Sequence, residues 1–112
     1  MWQKREIIGE LLGTFILVVF GCGSVAVAVL FNAHQGLMQV ALAWGIAVTL
    51  AIYLTRHLSC AHLNPAVSIA MVASGRMKAS KLPVYLISQF IGAFLAGLVV
   101  YLLFSPSIAD YE

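Results

Sequence analysis

Charge is what this chain has least of. Of its 112 residues only 9% are Asp, Glu, Lys or Arg, while 62% are hydrophobic, and the mean hydropathy is +1.02. A soluble domain carries about 25% charged residues, so the shortage excludes a water-facing globule and places the chain in lipid. Cysteine is sparse as well. Cys22 and Cys60 both fall in apolar surroundings, which excludes the disulfide framework of a small secreted domain. A cleavable signal peptide is not expected either, because the apolar run after Lys4 and Arg5 is too long for a signal core. The sequence holds no nucleophile with a base, no paired carboxylates and no phosphate loop, so neither an enzyme nor a cofactor is expected. His57, His62 and Glu10 match no ligand spacing, so no metal site is expected either. Nor is a nucleic-acid partner.

What the chain does have is long apolar runs. Three of them, about 7–31, 37–54 and 82–104, approach or exceed the roughly 18–20 residues that a spanning helix needs. A fourth piece, 65–73, is too short. At ~1.5 Å per residue it covers about half of a ~30 Å hydrocarbon core. Gly75, Arg76 and Lys78 follow it as helix-ending residues do. The fold class expected is an all-α membrane protein with three transmembrane helices and one half-length helix.

The formal net charge of +2 says less than where the charges lie. Lys4, Arg5, Arg56, Arg76, Lys78 and Lys81 all precede the first run or lie between the second and third. The connection 32–36 and the tail 105–112 hold no Lys or Arg, and the tail carries Asp110 and Glu112. The positive-inside rule then puts the N-terminus in the cytoplasm and the tail outside. With that orientation, the short helix enters and leaves from the cytoplasmic side. The connector 55–63 could reach ~30 Å if extended, twice the ~15 Å to the midplane. A re-entrant loop over about 55–75 is therefore expected. Irregular backbone at that depth is tolerated where it is buried in protein or lines a water-filled cavity. The plainer alternative is a cytoplasmic loop at the membrane surface.

The residues that open the short helix carry the chemistry. Asn64 followed by Pro65 is the cap and first-turn pair that helix starts favour. Pro65 also keeps Asn64 out of helical backbone angles, so Asn64 can cap the helix and still offer an amide donor. Ala66 follows in the first turn, and Cys60, Ala61, His62 and Leu63 lead in. A helix starting in mid-bilayer aims N–H groups and a positive dipole end at whatever occupies that spot. Such a site suits a neutral hydroxyl and opposes cations.

Other positions support this one. Trp44 lies about seven residues into the second run, ~10 Å below its outer end, too deep for an interface-belt tryptophan such as Trp2. From depth alone, Trp44 reads as an aromatic packed between helices. Val48 is one turn deeper on the same face. Glu10 within the first run costs ~3 kcal/mol unless paired; its candidate partners are backbone amides of the loop or His62, with snorkelling as the competing account. Glu10 and Gln89 read as internal polar struts. Gly9 with Gly13, and Ala93 with Gly97, are spaced to let helices approach closely.

These residues together resemble the N-terminal half of a major intrinsic protein, the aquaporin and aquaglyceroporin family. The resemblance rests on Glu10-x-x-Gly13-Thr14-Phe15, Gly21-x-Gly23, Trp44-Gly45, 51–54, the box 61–67 and Gln89-x-x-Gly92-Ala93, and it covers residues 1–112. It implies a passive channel for glycerol and small neutral solutes, water included, in a bacterial inner membrane. It further implies pore-facing carbonyls at Cys60, Ala61 and His62, a central donor at Asn64, an apolar constriction wall at Trp44, and a bracing role for Glu10. The family also implies a second, inverted half with its own box and a filter arginine, and a homotetramer. Cys60 departs from the usual glycine. Carrying one box, the chain is expected to be a fragment or truncated product that does not conduct alone. A non-conducting interaction module and a water-selective half are the alternatives.

Overall fold

The computed structural model describes residues 4–31, 37–59 and 61–111. Trp2 and Cys60, singled out above, lie outside these residues. The described residues are helical with short connections and contain no strand: α1 Lys4–Phe31, α2 Leu37–Thr55, α3 Pro65–Ala73, a single 3-10 turn Ala79–Lys81, and α4 Leu82–Tyr111. The helices α1, α2 and α4, the last together with its preceding 3-10 turn, are long and apolar enough to cross a membrane, with 18-residue stretches of mean hydropathy 2.5, 1.9 and 2.2.

The side chains are distributed as lipid requires. Large apolar residues face outward: Phe20, Ile46, Phe94 and Leu103 are each more than half exposed. Small or polar residues face inward, including Ala47, Ala51 and Thr55 on α2 and Gly9, Gly13 and Thr14 on α1. Lipid tails are as apolar as Leu, so close packing and hydrogen bonds hold such helices together. α1 is central, packing on both α2 and α4, and α3 packs on α4.

The tightest crossing is at Gly92, where a Cβ would fall on the Leu11 carbonyl oxygen of α1. Gly92 and Ala96 are buried, whereas Gly97 is exposed and a Cβ there would meet nothing within 4 Å. This corrects the face expected from Ala93 and Gly97: the contact stripe of α4 is turned by one residue. Gly92→Val should therefore destabilise the bundle by about 1–3 kcal/mol through overpacking, while Gly97→Val should stay within about 0.5 kcal/mol. Thermal unfolding in detergent followed by circular dichroism checks the pair, and equal effects would refute this register.

α4 also runs further than the apolar stretch 82–104. At ~1.5 Å per residue its 30 residues reach about 45 Å, so its last turns pass beyond a ~30 Å core. Pro106 sits inside it, where it removes the donor for the Leu102 carbonyl and its ring crowds that carbonyl.

The path of the connector is read from its contacts with α1. His57 is held at Arg5, whose Nη2 donates to its carbonyl at 2.7 Å. Leu58 and Ser59 lie on Gly9, and Leu63 lies on Gly13. Lys81 then returns to Glu6, 3.1 Å away. Between Arg5 and Gly13 the chain climbs eight residues of α1, about 12 Å, and it comes back to its starting level. That is a re-entrant half-helix. α3 ends on Gly75 (φ +78), with Gly75 N donating to Val72 O and Arg76 N to Met71 O, the Schellman pattern that only a left-handed residue completes without strain.

Candidate functional site

Glu10 is fully buried, so it does not snorkel. Its carboxylate takes four donors. Oε2 accepts from Ser59 Oγ at 2.5 Å and from His62 N at 3.2 Å; Oε1 accepts from Leu63 N at 2.9 Å and from Gln89 Nε2 at 2.8 Å. Ser59 Oγ in turn accepts from Ala61 N at 3.0 Å. Gln89 Nε2 also donates to Ser68 Oγ, which lies 2.9 Å from His62 Nδ1. One buried carboxylate thus ties α1 to the loop and α4, and Gln89 carries the tie on to α3. Each partner satisfies a group that would be costly in lipid alone.

The loop needs such a hold. Ala61 and Leu63 have φ of 54 and 57, left-handed angles that cost a side-chain-bearing residue about 1–2 kcal/mol each. The Leu63 side chain, 3% exposed, fills the groove over Gly13. It anchors the loop, so only the backbone of Leu63 is available to line a conduit. Among the described residues no peptide bond is cis, so each carbonyl points opposite its own unit's N–H. With the amides of His62 and Leu63 turned to Glu10, the carbonyls of Ala61 and His62 point away from it. Among the described residues nothing donates to them.

Asn64 then turns extended, φ −159 and ψ 128, and caps α3 with Pro65 in the first turn. Its Oδ1 accepts from Ala66 N at 2.8 Å, which leaves the Nδ2 donors of this exposed residue free. Acceptors at Ala61 and His62, a donor at Asn64 and the amide end of α3 follow one another along the chain in one row. A hydroxyl both donates and accepts, and the row offers it both without a net charge.

Trp44 is half-buried. Its indole lies on Gly21 of α1 and borders the cluster of Leu17, Ala47, Ala51 and Leu63. Val48, 36% exposed, follows one turn on. His62 stacks obliquely on Tyr85, with ring centroids 5.0 Å apart, and Cys60 falls outside the described residues.

A second buried acid was not singled out from sequence. Glu6 Oε2 accepts from Tyr85 Oη at 2.9 Å and pairs with Lys81 Nζ at 3.1 Å. The signal was available: Glu6 and Glu10 are one turn apart on α1, and Lys81, Tyr85 and Gln89 are spaced four residues apart from the end of the 3-10 turn into α4. Ser59 and Ser68 offered no such spacing.

The chain is 45% identical over 109 residues to a glycerol uptake facilitator protein of Haemophilus influenzae, covering 97% of this chain and 41% of that one. It is also 45% identical over 105 residues to aquaporin Z of Photorhabdus laumondii, covering 93% of this chain and 46% of the other. The X-ray structure of the aquaglyceroporin from Plasmodium falciparum superposes with a TM-score of 0.84 at 39% identity, over 95% of this chain and 44% of that one. The chain thus spans somewhat under half the length of the relatives it matches. The major intrinsic protein model matches residues 1–111, and with three apolar helices and a re-entrant half-helix packed on the third of them, this chain belongs to the major intrinsic protein family.

Proposed function

We propose that this chain supplies one wall of a membrane channel through which glycerol and other small neutral solutes diffuse passively. The observation that carries the reading is the row formed by the outward carbonyls of Ala61 and His62 and the free amide of Asn64. Backbone so placed in a membrane belongs beside a water-filled path. Trp44 and Val48 add the apolar side that a polyol's carbons would touch, and Pro65 and Ala66 set the start of the half-helix. A second reading, a water-selective path, is favoured by the aquaporin Z relative. In both readings the chain lies in the cell membrane with its N-terminus in the cytoplasm, the opposite wall comes from sequence like that of the relatives beyond the matched region, and the assembled channel is a homotetramer.

The test joins residues 1–112 to the remainder of the Haemophilus influenzae relative and compares this chimera with the 112-residue chain alone in proteoliposomes. Glycerol entry, followed by light scattering, is expected for the chimera and only background for the chain alone, since inverted-repeat sites form between two halves. Fast entry through the chain alone would overturn the shared-wall reading. Equal water entry with no glycerol entry would select the water-selective path. A reporter fused after Glu112 that works only in the cytoplasm would reverse the orientation. A tetramer is checked by sedimentation in detergent.

A further inference from the structure

The loop residue His62 is held on three sides. Its N–H donates to Glu10 Oε2 of α1 at 3.2 Å. Its Nδ1 lies 2.9 Å from Ser68 Oγ of α3. Its ring lies obliquely on Tyr85 of α4, with centroids 5.0 Å apart, and Tyr85 is pinned in turn where its Oη donates to Glu6 Oε2 at 2.9 Å. Ser68 and Gln89 are 0% and 1% exposed, so a hydrogen bond left unmade between them is costly. The direction of each bond here follows from the one before it. The Glu10 carboxylate is an acceptor, so it draws the NH2 of Gln89 at 2.8 Å and not its carbonyl. The same Nε2 reaches Ser68 Oγ at 3.0 Å, and an amide NH2 only donates. Ser68 Oγ therefore accepts from Gln89 and keeps its own hydrogen to give. Among the described residues its remaining partner is His62 Nδ1. That nitrogen must accept, and a neutral imidazole that accepts at Nδ1 carries its hydrogen on Nε2.

We infer that Ser68 is a positioning residue of the loop: oriented by Gln89, its hydroxyl holds the His62 imidazole in place as the Nε2–H tautomer. The opposite tautomer would aim two donors at Ser68 Oγ and leave the Ser68 hydrogen without an acceptor in a buried spot. Glu10 fixes the amides of His62 and Leu63, whereas Ser68 and Tyr85 fix the His62 ring. The two holds meet on a residue whose carbonyl belongs to the proposed row. A ring free to swing would leave that carbonyl held from the Glu10 side alone. What this does to solute flux rests on the channel reading; the tautomer itself does not.

The tautomer is read on the 112-residue chain in lipid bilayers, with its histidines isotopically labelled at both ring nitrogens. The chain has three histidines, so a His34→Gln/His57→Gln background leaves His62 as the one labelled ring. Arg5 meets His57 through the backbone carbonyl, which Gln retains. Solid-state nitrogen NMR at mildly alkaline pH is expected to show Nδ1 as a hydrogen-bonded acceptor and Nε2 as an N–H. An isolated imidazole also favours hydrogen on Nε2, so the deciding comparison is Ser68→Ala. It should shift the Nδ1 resonance toward that of an unbonded acceptor nitrogen, and Ser68→Thr, which keeps the hydroxyl, should restore it. Ser74→Ala, at the exposed end of the same helix, should leave it unmoved. In the chimera, Ser68→Ala should slow glycerol entry about fivefold, the factor for one hydrogen bond lost, and Ser68→Thr should recover most of it. A hydrogen on Nδ1 in the unsubstituted chain, or an Nδ1 resonance that Ser68→Ala leaves unchanged, would overturn the assignment. Unaltered glycerol entry in the Ser68→Ala chimera would overturn the positioning role. If the parent chimera passes no glycerol, the channel reading fails by itself, and the NMR comparison still decides what Ser68 does.

Discussion

Replacing Glu10 with Gln is expected to disable the completed channel even though the side chain keeps its shape. The carboxylate accepts from four groups, two at each oxygen. An amide must put an NH2 where one of those oxygens stood. If it replaces Oε1, Gln89 can turn its own unpartnered Oε1 toward the new donor, but Leu63 N cannot turn. If it replaces Oε2, Ser59 can rotate, but His62 N cannot. Either way one backbone N–H of the loop is left facing a donor, at a cost of about 1–3 kcal/mol. That N–H is also part of what holds Ala61 and Leu63 at left-handed angles, so the loss falls on the segment that presents the carbonyls. Glycerol flux through the chimera should drop about tenfold or more, since each ~1.4 kcal/mol shifts a population tenfold. Glu10→Ala should do worse, because all four neutral donors lose their partner and each one left buried and unmade costs about 1–3 kcal/mol. Flux per inserted protein and the thermal midpoint in detergent are the two readouts. Wild-type flux from Glu10→Gln would mean that the loop holds its strained form without the carboxylate.

How far the sequence announces this arrangement depends on the range of each interaction. The long helices are legible because an apolar run of this length has few other uses. The start of α3 is legible in Asn64 and Pro65, and its end in Gly75, because caps are made within a few residues. Glu10 is half legible. A carboxylate in an apolar run must find donors, but donors 49 to 79 positions away are known only once the loop has a path. The left-handed angles at Ala61 and Leu63 have no local sign at all, since neither residue is Gly or Asn, and tertiary bonds impose them. The face of α4 is not fixed by small residues alone, because Ala93 with Gly97 and Gly92 with Ala96 are equally good small-residue pairs. The choice follows from Gln89: if it faces Glu10, the stripe continues three and then four residues on, through Gly92 and Ala96.

The second large effect separates the two kinds of contact in the proposed path. Asn64→Leu removes the free amide donor and the cap on Ala66 N together. With few other donors in the row, water and glycerol should both slow, by a factor set by about 1–3 kcal/mol for an unmade hydrogen bond. Trp44→Ala should act differently. An apolar wall offers contact to the CH groups of a polyol, worth up to about 0.8 kcal/mol per buried CH2, and offers water nothing comparable. The glycerol-to-water flux ratio of the chimera should then fall about threefold or more, as the loss of one or two such contacts would give. Gly21→Ala provides an independent probe of the same wall. A Cβ at position 21 would fall on the Trp44 ring, so the ring must move although it is still present, and the ratio should shift in the same direction. If Trp44→Ala and Gly21→Ala instead lower both fluxes in proportion, Trp44 serves to pack α2 on α1. The case for glycerol over water would then lose its residue-level support in this half of the channel.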